Sequence, residues 1–265
     1  MNIFLFELKS QLKSQWIWIL SACGVAYFFM LIYPAFYDNA KNLIDIFNRY
    51  PKEVLVAFGF DMNQLFSAFG FYSFVLVYVE LITAMQAMIL GLGTSGRELR
   101  LRTSDFLITK PVKRVNILLA KVISITLILV VTNIFIFISA YLGIKSVTPD
   151  VFSIQTLIYL SVSTFLLQWI FASIGVVLGV TFRRLRSIAP VSLGIVFGFF
   201  VVNMLKAIFD DAWIRYVSPF QFFDKYEVLT TSALDLTFVL WSLGLVIIML
   251  GFSFIYFDRK DIHAV

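Results

Sequence analysis

The chain has 265 residues, of which 60% are apolar and only 14% charged, against roughly 45–50% and about 25% in an ordinary soluble domain. A soluble fold of this length cannot hide that much apolar surface, so lipid is the solvent for most of it, and the formal charge of +5 marks loops facing anionic headgroups rather than a nucleic-acid surface. The single Cys23 excludes an internal disulfide or a cysteine-cluster metal site, and the single His263 removes the common imidazole-based metal and acid–base arrangements.

Residues 1–15 pattern as an amphipathic helix. Phe4, Leu8 and Leu12 recur at every fourth position while Lys9 and Lys13 share another face, which predicts a helix in the inner headgroup region leading into the first span. Residues 16–37 form that span, too long and too aromatic for a cleaved signal. An outer segment follows to Ser67, with a short helix expected near Pro51–Phe58. The second span covers residues 68–93 and carries Glu80 near its middle. A carboxylate at that depth is costly unless paired, protonated or wetted, so it is a functional candidate by default. Ser73, Glu80 and Thr83 share one helix face. Two readings stand. In one, these residues together with Asn203 belong to a substrate path or dimer seam; in the other, Glu80 is one end of an interhelical bond, to Asn133, Gln168 or Asn203.

The inner stretch from Thr94 to Arg114 is strongly basic. It reads as a charged helix with apolar positions at Leu99, Phe106 and Leu107, broken at Pro111 ahead of the pair Lys113-Arg114. Such a helix suits docking into a soluble partner, or anchoring to lipid as an ordinary positively charged loop. The third and fourth spans, 115–143 and 154–181, exceed the minimum length, so tilt or protrusion is expected. Arg183, Arg184 and Arg186 then form a topology anchor, with partner contact as the alternative. The fifth span covers 188–208, with Lys206 snorkelling at its outer end. The aromatic stretch from Phe209 to Asp235 contains Pro219 and reads as broken helix at the membrane surface or dipping into it. The sixth span covers 236–257. Trp16, Trp18 and Trp213 fit interfacial belts.

The expected fold is therefore all-α, six spans in one membrane domain over residues 1–265. Two thirds of the 21 Lys and Arg fall on one side when both termini are placed inside, which predicts a cell-membrane protein with cytoplasmic ends. Gly91-Leu92-Gly93-Thr94-Ser95-Gly96 matches a dinucleotide-binding pattern, but a membrane helix precedes it where that chemistry needs a strand. No P-loop pattern occurs, so any ATP and Mg²⁺ must be held by another subunit and the chain is not itself expected to be an enzyme.

Several stretches resemble the ABC-2 type transporter permeases, membrane subunits of ATP-driven exporters. Glu98, Thr103, Phe106-Leu107, Pro111-Val112 and Arg114 fit the segment that opens the third span in that family, while Arg102 stands where the family usually has Gly and Lys113 where it often has Ser. The amphipathic start is similar to the family's elbow helix. Asp45-Ile46-Phe47 through Phe58-Gly59 is similar to its short outer helix, Val217-Ser218-Pro219-Phe220 to its Ser-Pro segment, and Tyr256–Ile262 to its closing residues. The resemblance implies two permeases, as a homodimer or with a paralogue, and two ATPase subunits that bind ATP and Mg²⁺. It makes Arg97, Glu98, Leu99, Arg100, Arg102, Thr103, Phe106 and Leu107 a coupling helix seated in the ATPase. It also implies that the first and fifth spans meet the second permease, and that the path between the copies is lined by the first, second and fifth.

The function this implies is export of a hydrophobic or amphipathic cargo (peptide, toxin or drug) by alternating access, with membrane lipid around it and no nucleic acid. Lipid or glycan export remains an alternative. So does an ATP-independent transporter or channel, which would need several paired intramembrane charges or broken spans. A membrane-embedded enzyme would need clustered His, Asp or Glu at depth.

Overall fold

The structure, a computed structural model, describes residues 3–51, 54–55, 58, 60, 64–97, 114–148, 153–182, 187–209 and 214–259. Among these, six helices are long and apolar enough to cross a bilayer: α1 (Ile3–Asp38), α3 (Ala68–Ser95), α4 (Arg114–Val147), α5 (Ile154–Thr181), α6 (Ile188–Phe209) and α9 (Leu236–Arg259). Shorter helices lie between them: α2 (Ala40–Phe47), α7 (Ile214–Val217) and α8 (Lys225–Thr231), with a 3₁₀ turn at Pro219–Gln221. No strand occurs among the described residues. The bundle has a near face, where α1 begins and α9 ends, and a far face, which carries α2, α7 and α8.

The starts of several helices follow from local chemistry. The hydroxyl of Ser67 accepts from the Gly70 amide at 3.0 Å and opens α3, and the Ser153 hydroxyl does the same for Thr156 at the head of α5. Asp224 caps α8 through the Tyr226 amide, and Ser232, in the left-handed region at φ 48°, ends it.

Two features depart from the sequence expectation. The amphipathic start is not a separate elbow: residues 3–15 run straight into the first span as one helix of 36 residues. No Gly or Pro falls between Ile3 and Cys23 to break it, and Pro34 sits close to its far end. Beyond the first span, the structure describes a helix at Ala40–Phe47 that the sequence reading did not place, while in the short helix expected near Pro51–Phe58 the described Val54 and Leu55 are helical and the rest lies largely outside the described residues.

α3 and α5 form the centre and are mostly buried, whereas most of α1, α6 and α9 is exposed on the outside of the bundle. Glycines set the spacing of the central pair. A Cβ on Gly175 would stand 2.7 Å from the Leu92 amide nitrogen and the Met88 carbonyl oxygen, and one on Gly91 or Gly179 would strike Ala172 or Ser95. Small residues let the two backbones touch, which is how helices associate where no hydrophobic effect drives them together. The glycine-rich exit of the second span is thus a packing surface. Around this centre, one apolar cluster joins α1, α3, α4 and α5 toward the far face and a second joins α3, α4 and α5 toward the near face. A third gathers Phe222, Phe223, Phe238 and Val246 under the far-face helices.

Candidate functional site

Polar groups inside an apolar bundle are the natural candidates for function, and they occur here at three depths. Nearest the near face, Glu7 of α1 is 3% exposed and Lys121 of α4 is 1% exposed. Lys121 Nζ donates to Glu7 Oε1 at 3.1 Å and to the Thr94 carbonyl at 2.6 Å. Arg97, just beyond α3, donates to Glu7 Oε2 at 3.4 Å and to the Ser10 hydroxyl at 2.6 Å, and its guanidinium lies 5.1 Å from the Phe6 ring centroid. One carboxylate thus joins two cations from different elements. The hydroxyl of Ser124, which donates to the Ala120 carbonyl of its own helix at 2.8 Å, also lies 3.4 Å from the Phe4 carbonyl, so α1 and α4 are in contact at this level.

Deeper, Gln86 of α3 donates to Gln15 Oε1 and to Thr132 Oγ1, each at 3.0 Å, and Asn133 donates to Gln168 Oε1 at 2.5 Å. These side chains form a neutral ladder across α1, α3, α4 and α5. Gln86 Oε1, Asn133 Oδ1 and Gln168 Nε2 find no hydrogen-bond partner among the described residues. Buried amides in this state hold water or a polar ligand readily.

Toward the far face, Lys225 of α8 places Nζ 2.7 Å from Glu80 Oε2, with the two side chains 15% and 4% exposed. The pair explains how a carboxylate is tolerated inside the membrane domain. Above it, Arg215 lies between Glu227 at 3.0 Å and Asp235 at 3.6 Å and stacks 4.1 Å from the Phe238 ring. An open hollow of about 410 Å³ at the same face is bounded by the hydroxyls and amide of Gln64, Ser67, Ser153, Thr156 and Ser232 and by the apolar side chains of Phe69 and Leu229, an uncharged and mostly apolar lining.

The residues singled out from sequence are distributed as follows. Ser73, Glu80 and Thr83 are all buried within the single chain, at 8%, 3% and 0% exposure, rather than on its outer surface. The Thr83 hydroxyl donates to the Glu80 carbonyl at 3.2 Å, a bond within the same helix. Asn133 and Gln168 bond each other, and Asn203 accepts from Gln221 through its side-chain oxygen, so none of the three amides proposed for Glu80 takes that place. Arg97 is the one coupling residue within the described residues. Glu98, Leu99, Arg100, Arg102, Thr103, Phe106 and Leu107 lie outside them, as do Arg183, Arg184, Arg186, Trp213 and the side chain of Lys206.

Sequence reasoning missed Glu7, Gln15, Lys121 and Lys225. Lys121 carried a usable signal: it interrupts the apolar run Ile117–Ile123 well inside a span, where a charge needs a partner. Glu7 lay on the helix face between the two that had been noticed.

A protein-family model described as an ABC-2 family transporter protein matches residues 1–262. No curated protein matches the chain.

Proposed function

The chain belongs to the ABC-2 family of transporter proteins, and from that premise we propose that it is the permease of an ATP-driven exporter, inserted with both termini in the cytoplasm. The observation that carries the reading is the coincidence of a family match over residues 1–262 with six apolar helices long enough to cross a bilayer. Two ATPase subunits bind ATP and Mg²⁺ and dock on the segment that follows Arg97. A second permease completes the path, and hydrophobic or amphipathic cargo (peptide, toxin or drug) leaves by alternating access. The sequence supports the division of labour, since it has no P-loop pattern of its own. The second copy is supported by α6. Its outward side carries Gly194 and Gly198 with nothing within 4 Å of either, beside exposed Phe197 and Val201. Ser73, Glu80 and Thr83 act from inside one protomer in this scheme, gating the far half of the path through α8 rather than lining the seam.

The test is purification in lipid nanodiscs together with a candidate P-loop ATPase, measuring ATP hydrolysis as amphipathic peptides are added. Stable association and peptide-stimulated hydrolysis are expected. Failure to associate in any lipid or detergent would defeat the reading. It would favour an ATP-independent transporter, a reading that draws support from two buried ion pairs, Glu7–Lys121 and Glu80–Lys225.

A further inference from the structure

We propose that Glu7 is a positioning residue that ties α1 to the cytoplasmic connection between α3 and α4, so that motion of that connection tilts α1 directly. The proposal rests on the permease reading above. Residues 98–113 are joined covalently to α3 and α4 alone. Glu7 adds the third helix. Its carboxylate holds Arg97, the last residue before the connection, and Lys121, two turns into the helix after it. Both ends of the connection are therefore pinned to one carboxylate on α1.

The contact is strong enough for this task because it is buried. Lys121 at 1% exposure has the Thr94 carbonyl and Glu7 as hydrogen-bond acceptors, and loss of the carboxylate would take an anionic partner from an ammonium held away from water. Arg97 is held less deeply, at 23% exposure, by Glu7, Ser10 and the Phe6 ring. Among the described residues these three contacts all lie on α1, so a displacement of Arg97 is passed to that helix through them. The lever is stiff as well. α1 is unbroken from Ile3 to Asp38, and at about 1.5 Å per residue it reaches across the bilayer and beyond. A shift at Glu7 therefore arrives at the far face, where the hydroxyl of Tyr33 on the same helix donates to the Phe66 carbonyl at 2.8 Å, just ahead of α3.

The experiment uses spin labels at Tyr37 and Leu236, exposed residues at the far ends of α1 and α9, in a Cys23→Ser background reconstituted with the ATPase. The distance change on adding ATP is the readout, with the thermal midpoint measured alongside. The double variant Glu7→Leu/Lys121→Leu removes both members of the buried pair, which buried pairs tolerate, and the Arg97 side chain that loses its carboxylate is 23% exposed and within reach of water. It should keep the wild-type midpoint and lose most of the ATP-driven shift. Arg97→Gln leaves the buried pair in place, and the same loss at unchanged midpoint is expected. A folded double variant that retains the full shift would overturn the proposal. Should the double variant fail to fold, a full shift in Arg97→Gln overturns it. Absence of any shift in the wild type instead defeats the permease reading, and this proposal with it.

Discussion

Glu80 shows how a single charge in a span is managed. Its ammonium partner comes from α8, within the far-face connection between α6 and α9, at 2.7 Å. Breaking a buried pair by removing one member leaves the other uncompensated, which costs about 3 kcal/mol, and less where a side chain retains some exposure as Lys225 does at 15%. Glu80→Gln and Lys225→Gln are each expected to lower stability by about 2 kcal/mol in thermal melts, with the double variant less destabilised than the sum of the two. Additive losses would mean the side chains are independent. The presence of Glu80 was plain in the sequence, because a carboxylate in an apolar run stands out. Its partner was not, since helical periodicity assigns a residue to a face but does not say which element covers that face. The same limit hid Glu7, whose neighbours Phe6 and Leu8 gave no sign that the carboxylate between them points into the bundle.

The spans themselves were legible because hydrocarbon thickness sets their length and every backbone group inside must bond within its own helix. Residues 68–93 and 154–181 were recovered almost to the residue as α3 and α5. What the apolar runs concealed is rank. α5 is enclosed and α9 is peripheral, although both are uniformly apolar, because small residues and not hydropathy decide which helices approach closely. Gly175→Leu would drive a side chain into the backbone at Leu92 and Met88 and is expected to destabilise by about 3 kcal/mol or more. Gly251→Leu on α9, where nothing lies within 4 Å, should leave the thermal midpoint unchanged. Comparing the two variants by melting in the same detergent checks the ranking. The junction of the first span was misjudged for a related reason: amphipathicity suggested a helix lying in the headgroups, yet nothing in residues 3–15 interrupts the helical ladder.

At the scale of the whole molecule, α6 stands out as a span with little of the chain around it. Under the proposed pairing, Gly194→Leu/Gly198→Leu would keep the two copies from close approach. The expected outcome is a shift from dimer to monomer in single-molecule photobleaching counts, with the melting temperature of each copy preserved; unchanged counts would place the seam elsewhere. The central helices have a different consequence, one for biogenesis. α3 leaves the ribosome well before α5, against which it packs, and long before Lys225, which neutralises Glu80. During synthesis, then, an acidic and amide-bearing helix waits without its final neighbours, so insertion cannot proceed by stable release of each segment in turn. Nascent chains halted after α3 should stay crosslinked to the insertion machinery, and those extended past α8 should be free of it.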